Sequence, residues 1–293
     1  MNRNPIASIG SPIQKYLETV HACYRDLDEG EVASYIPELF EADPHWFGIC
    51  IATSDGQIYE VGESRRAFTI QSISKPFVYG MAMEDCGVEH VLAKIGLEPS
   101  GDAFNSISLH PETGCPLNPM INAGAITTTS LVGSATAGAE GVPRMRRILE
   151  TFERYVAHEV AVDEEVYRSE SATGHRNRAI GYMLRNFKII EEDPMPSLDD
   201  YFRQCSISAD CRDLAVMGAT LANGGVNPLS GVRALDARHV ENVLSVMTSC
   251  GMYDYAGEWI YRVGMPAKSG VAGGILAVLP GQLGIGVYSP PLD

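Results

Sequence analysis

The chain is predicted to be an α+β protein, in the broad sense α/β: an antiparallel sheet drawn from both termini, flanked by helices, with an all-helical lobe inserted. Three observations predict it. Strand-like segments gather near the two ends, the long middle carries mainly helical periodicity, and the composition is that of an ordinary globular chain, with 45% hydrophobic and 20% charged residues in 293. That length suits a single domain over 1–293, with a sheet lobe of approximately 1–71 and 235–293 and a helical lobe of approximately 72–234.

Taken in order, Ile13, Tyr16, Leu17, Val20 and Tyr24 recur at helical spacing and predict an amphipathic N-terminal helix. Residues 47–53 and 58–62 read as a hairpin around the turn Ser54-Asp-Gly-Gln57. Residues 72–86, rich in Val, Met and aromatics, read as a buried helix stopped by Gly87. Helical signals continue to about residue 234, with long loops expected at 98–120 and 191–198; residues 214–221 and 239–247 are the clearest later helices. Residues 258–263, 273–279 and 283–288 read as strands, the last two joined through Pro280-Gly-Gln282. The acidic run 159–165 reads as a solvated face.

Composition narrows the function. A net charge of −15 argues against nucleic acid or an anionic membrane as partner, since both need a basic surface. The longest apolar runs are interrupted within about a dozen residues, so no membrane span is expected. Met1-Asn-Arg-Asn-Pro leads into no apolar signal core, and the seven scattered cysteines include no Cys-x-x-Cys. Both features predict a cytoplasmic protein with reduced thiols. The nearest approach to a zinc motif, His158-Glu159, has Val162 where a second histidine would be needed.

The chemistry is carried by Phe68-Thr-Ile-Gln-Ser72-Ile-Ser-Lys75-Pro-Phe77. On a helix, Ser72 and Lys75 share a face one turn apart, where a deprotonated lysine can activate a serine hydroxyl. A chain this long carries roughly one such spacing by chance, and the bland reading is a helix-capping serine followed by a surface lysine. Context favours the chemical reading. Lys75 lies in an otherwise apolar helix, where burial would lower its pKa. Lys268-Ser-Gly then supplies the second motif that serine enzymes of the penicillin-recognising type carry beyond Ser-x-x-Lys. The small residues after it, Val271-Ala-Gly-Gly274, let a strand edge approach a ligand closely.

Together with Asn105-Ser, Pro116-Leu-Asn-Pro-Met-Ile-Asn-Ala-Gly-Ala-Ile126, Ser169-Glu170, Arg176-Asn177, Tyr201-Phe-Arg-Gln-Cys205, Cys250-Gly-Met-Tyr253 and Gly264-Met-Pro-Ala-Lys-Ser-Gly-Val271, this segment resembles the serine-dependent glutaminases of β-lactamase-like fold. The resemblance runs in order from about Ile13 to Asp293. It implies hydrolysis of L-glutamine to L-glutamate and ammonia by a single catalytic domain, with no metal or organic cofactor, in a homodimer or homotetramer.

Residue by residue, the resemblance makes Ser72 the nucleophile, Lys75 a proton acceptor or relay, and Tyr253 a proton shuttle to the leaving ammonia. Lys75 and Lys268 beside Tyr253 are expected to favour a tyrosinate and lower its pKa from about 10. Whether Lys75 or Tyr253 is the general base stays open. Backbone N–H groups of Ser72 and Val271 would hold the oxyanion. Glu170 suits the substrate α-ammonium, and Asn122, Asn177 and Tyr201 the α-carboxylate, with Tyr35 at the cleft edge. Read without the resemblance, each of these is more commonly a turn or core residue.

Two departures from the family pattern stand out. Ala272 takes a position where many relatives have glycine, and its methyl is expected to crowd the strand slightly. The chain ends at Ser289-Pro-Pro-Leu-Asp293, where relatives usually continue with another strand and helix, so an uncovered sheet edge is expected. Two other readings fit the same residues: a β-lactamase or DD-peptidase, against which stands the lack of a Ser-Asp-Asn motif and of an export signal, and a non-catalytic amino-acid sensor, which would have no use for an activated serine.

Overall fold

Two pieces of chain far apart in sequence, residues 48–62 and 267–288, build one antiparallel sheet in the computed structural model, which describes residues 11–34, 36–101, 106–133 and 143–292. In chain order the first elements are α1 (Pro12–Tyr24), β1 (Glu31–Val32), β2 (Gly48–Thr53), β3 (Ile58–Gly62), β4 (Phe68–Thr69), α2 (Lys75–Cys86) and α3 (Val88–Leu92). The middle comprises α4 (Asn122–Leu131), α5 (Arg144–Val156), α6 (Glu164–Thr173), α7 (His175–Asn186), α8 (Pro194–Cys205), β5 (Ser208–Ala209) and α9 (Cys211–Ala222). The last part holds α10 (Ala237–Cys250), α11 (Ala256–Arg262), β6 (Ala267–Ser269), β7 (Gly274–Leu279), β8 (Leu283–Tyr288) and β9 (Pro291–Leu292).

The sheet runs in the order β3-β2-β8-β7-β6, so the join between the two ends of the chain is the β2–β8 ladder, with Cys50 opposite Gly286 and Ile51 opposite Ile285. The alternation of buried and partly exposed residues along β8 is what a strand with one face on a core requires. Helix α9 lies flat on β2, β7 and β8. The approach is close enough that a Cβ on Gly284 would come within 2.2 Å of the Ala219 nitrogen, and one on Gly286 within 2.1 Å of the Cys211 carbonyl oxygen. Glycine at both positions is therefore a steric requirement. Residues 211–222, which sequence grouped with the helical lobe, belong spatially with the sheet, because apolar periodicity does not say which surface a helix covers.

One apolar cluster joins the sheet to α2, α5, α9 and α10, and a second lies among α4, α7 and α8. Short ladders tie the two regions near the chemistry. β4 pairs with β5, and Ile70 N–H donates to the Ile207 carbonyl at 2.8 Å, fixing the segment that leads into Ser72 to the end of α8.

Three expectations from sequence are corrected. Residues 258–263 are not a strand: α11 covers Ala256–Arg262, helped by an i,i+4 pair of Glu258 and Arg262 at 2.7 Å. Tyr261 stands 90% exposed there, so the apolar run that read as a strand is largely solvent-facing. The loop at 191–198 is shorter than expected. Asp193 caps Met195 N–H at 3.1 Å and Pro194 opens α8, two start signals that the Pro-rich composition hid. Finally, Ser72 is not in the α-helix itself. It sits in a 3-10 turn, Gln71–Ser74, from which α2 starts at Lys75.

Candidate active site

The turn that carries Ser72 is entered through a residue in an unusual conformation. Gln71 has φ +50°, left-handed backbone that a non-glycine side chain rarely adopts, and it is buried. Gln71 Nε2 donates to Thr69 Oγ1 at 3.2 Å, and its side chain is also hydrogen-bonded to the Glu170 carboxyl. Tyr253, in the 3-10 turn Tyr253–Tyr255 after α10, is the second such residue, with φ +56°. Strain of this kind costs of order 1–3 kcal/mol and persists where surrounding structure holds it for a purpose.

Ser72, Tyr253 and Lys75 form a continuous chain. The Ser72 hydroxyl is hydrogen-bonded to Tyr253, and the Tyr253 hydroxyl lies 3.4 Å from Lys75 Nζ. The Tyr253 phenol thus touches both residues of the Ser72-x-x-Lys75 pair. Lys75 is fully buried and also donates to the Met120 carbonyl at 3.1 Å and to Asn122 Oδ1 at 2.7 Å. Burial pushes its pKa down to about 8, with the Cys205 thiol and then Glu170 opposing the fall. A neutral lysine has two N–H donors, which Met120 and Asn122 occupy. Its lone pair is then left for Tyr253.

Burial of the phenol raises the Tyr253 pKa, and the hydrogen bond from Ser72 only partly offsets this. The residue is partly exposed overall, but its hydroxyl end is enclosed. The expected lowering by two lysines is corrected here. Lys268 lies 3.8 Å from the Tyr253 ring centroid, and burial, and then Lys75, depress its own pKa well below the ordinary value. It donates to the carbonyls of Gly251 and Ser269, both at 2.8 Å, and supports the ring of Tyr253 from behind.

Beside Ser72 opens a cavity of about 260 Å³ lined by Gln71, Ser72, Asn122, Glu170, Asn177 and Tyr201, among others. Asn122 is the first residue of α4, delivered by a loop in which Asn118 Oδ1 accepts from the N–H groups of Met120 and Ile121. A Cβ on Gly124 would lie 2.0 Å from the Asn118 carbonyl oxygen, so only glycine lets this loop fold onto its own helix. Asn122 Nδ2 donates to Asn177 Oδ1 at 3.0 Å, joining α4 to α7. Glu170 is the distinctive group. It is buried, its Oε2 has no hydrogen-bond partner among the described residues, and burial raises its pKa to about 8 despite Lys75 and Gln71. A buried carboxylate oxygen aimed into a cavity is a ready partner for a ligand cation.

Of the residues singled out from sequence, Ser72, Asn122, Glu170, Asn177 and Tyr201 line the cavity; Lys75, Tyr253 and Lys268 do not line it but touch one another beside it, Lys75 also reaching Asn122. Val271 follows β6, where Gly270 packs against Ile70 and Ile73 beside Ser72. Tyr35 and Asn105 lie outside the described residues. Ala272 is buried in the main core and does not line the cavity. Gln71, Arg176 and Cys205 also line it and were not singled out. All three lie within the motif blocks that carried the resemblance, one residue before Ser72, one before Asn177, and one turn after Tyr201. Among the described residues no group of three His, Cys, Asp or Glu is placed to hold a metal ion.

A profile of the glutaminase family matches residues 30–293. The chain belongs to the glutaminase family. A glutaminase of Trichormus variabilis is 53% identical over 283 residues, spanning 97% of this chain and 84% of that one. Among solved structures, a probable glutaminase superposes with a TM-score of 0.91 at 42% identity, covering 96% of this chain and 90% of the other. A probable glutaminase from Bacillus subtilis, complexed with 6-diazo-5-oxo-L-norleucine, superposes at 0.85 with 32% identity, over 97% of this chain and 90% of that one. The β-lactamase-like fold expected from sequence is thus the fold of this glutaminase-family chain.

Proposed function

We propose that the chain hydrolyses L-glutamine to L-glutamate and ammonia through a glutamyl ester on Ser72. The observation that carries this reading is the Ser72–Tyr253–Lys75 chain, whose Ser72 lines the same cavity as Glu170, an acid with a buried oxygen unpartnered among the described residues. In the acylation step the Ser72 hydroxyl passes its proton to Tyr253 as Tyr253 passes its own to neutral Lys75, and Oγ bonds to the side-chain amide carbon. The oxyanion is held by the N–H groups of Ser72 and Val271. Among the described residues the Val271 N–H has no backbone acceptor. The C–N bond then breaks, the proton returns through Tyr253 to the nitrogen, and ammonia leaves. Water entering along the same path hydrolyses the ester.

Glu170 takes the α-ammonium, and Asn122, Asn177 and Tyr201 take the α-carboxylate. A free amino acid satisfies both charges, whereas a β-lactam would leave Glu170 unpaired. We also place the enzyme in the cytoplasm as a homodimer or homotetramer. Its cysteines are free thiols, which suits a reducing compartment, and among the described residues no helix is long and apolar enough to cross a membrane.

The test is ammonia release from L-glutamine by wild type and Ser72→Ala, with L-asparagine and a chromogenic cephalosporin alongside. Wild type turns over glutamine, and Ser72→Ala loses turnover while still binding glutamate in calorimetry. Retained activity in the variant would remove Ser72 from the nucleophile's role.

A further inference from the structure

The strained Gln71 is held by a chain of buried hydroxyl and amide groups that the reaction itself does not touch. Ser74 Oγ donates to the Gln71 carbonyl at 2.7 Å, Gln204 Nε2 donates to Ser74 Oγ at 3.0 Å, and Thr129 Oγ1 lies 2.9 Å from Gln204 Oε1. All three side chains have no solvent exposure.

The direction of the chain follows from counting protons. Ser74 has one hydroxyl proton, spent on Gln71, so it must accept from Gln204, which turns the Gln204 oxygen toward Thr129. Thr129 then gives its proton to Gln204. Its other neighbour, the Ala125 carbonyl at 2.9 Å, already receives the Thr128 hydroxyl at 2.8 Å. The hydrogen bonds therefore run one way, from α4 through α8, and end on the carbonyl of the Gln71–Ser72 peptide group.

The other end of that peptide group is the Ser72 N–H, which among the described residues has no backbone acceptor. Hydrogen bonds in series polarise one another, and a peptide whose carbonyl accepts a strong bond has a better N–H donor. We propose that Thr129, Gln204 and Ser74 are positioning residues that hold the left-handed Gln71 and polarise the Gln71–Ser72 peptide, sharpening the Ser72 N–H as oxyanion donor. This rests on the Ser72 reading above. It also couples the two helices that bring substrate groups, since α4 begins at Asn122 and α8 carries Tyr201 one turn before Gln204.

An oxyanion donor acts in the transition state, so weakening it lowers kcat and leaves ground-state binding alone. Ser74→Ala is expected to lower kcat about ten-fold, less than outright loss of a donor, with the glutamate Kd within about two-fold of wild type. Because Ser74→Ala can fail to fold, Thr129 supplies a second pair. Thr129→Val keeps the shape and removes the proton, whereas Thr129→Ser keeps the proton and removes a methyl.

The expected result is a kcat about three-fold or more lower in the valine variant and near wild type in the serine variant, with glutamate Kd unchanged in both. A packing role predicts the reverse order. Valine at wild-type kcat, serine impaired more than valine, or a Kd that weakens in step with kcat/KM overturns the proposal. The Ser72→Ala control separates the two ideas. If it stays active the nucleophile is wrong, and if it is dead while Thr129→Val is unaffected only the positioning chain is wrong.

Discussion

At the scale of single residues, the site is built on two groups kept near neutrality by burial, Lys75 with a pKa lowered to about 8 and Glu170 with one raised to about 8. In the proposed mechanism each must lose a proton before the free enzyme is competent, Lys75 to accept from Tyr253 and Glu170 to meet the substrate ammonium. Log kcat/KM is therefore expected to rise with pH below about 8 with a slope approaching two. Log kcat should rise with a slope of one, because bound substrate has already ionised Glu170. A single-proton limb in kcat/KM would mean that one of the two does not titrate in the working range. Lys75→Met should lower kcat about 10²–10⁴-fold and abolish the limb in kcat. Glutamate binding near pH 7 should release close to one proton from Glu170, visible as a binding enthalpy that differs between phosphate and Tris buffers. A buffer-independent enthalpy would place the ammonium elsewhere.

At the scale of elements, the helix starts do the positioning. The α4 start is held by Asn118, and its closeness to its own preceding loop leaves no room for a methyl at Gly124. Gly124→Ala should cost about 1–3 kcal/mol of stability, as overpacking does, measured by denaturant unfolding. It should also lower kcat/KM by more than that loss of folded protein explains, because Asn122 and the Lys75 contact move with the helix start. Normal kcat/KM per folded molecule would show that α4 tolerates the shift. The elements also divide by how legible they were. α1, the β2–β3 hairpin and the β7–β8 pair could be read because each has a clean period and a turn signal. Residues 256–262 could not, because a short run of Trp, Ile, Tyr and Val reads alike as strand or helix until its surroundings are known.

At the scale of the whole molecule, placing a carboxyl and an amine in one dry site makes stability depend on pH in a way opposite to ordinary ion pairs. Glu170 has a raised folded pKa, so its contribution is full below its ordinary value of 4.5 and is lost as pH rises to about 8. Lys75 has a lowered folded pKa, so stability is regained between about 8 and its ordinary 10.5. The pair thus contributes a local minimum near pH 8 in the empty enzyme. Glu170→Gln should remove the falling limb and leave the protein more stable than wild type at pH 8, by about 2–4 kcal/mol, in unfolding curves run across that range. Equal stabilities at pH 8 would contradict the burial argument. Glutamate should protect wild type most where the minimum lies.

The sequence by itself determined the family of this protein and the residues proposed to carry its chemistry. Ser72, Lys75, Glu170 and Lys268 could be named as candidates because a proposed nucleophile, base and charge partner must be these residue types, and their motif blocks stand in order along the chain. What only the tertiary structure decided is who stands next to whom. Tyr253 touches both Ser72 and Lys75, Lys268 backs the tyrosine ring with its pKa depressed by burial, and Ser74, Gln204 and Thr129 end on the peptide before Ser72. The physical reason is that pKa direction and proton order depend on desolvation and on three-dimensional neighbours contributed by α2, α4, α8 and the turn after α10, which spacing along one chain does not encode.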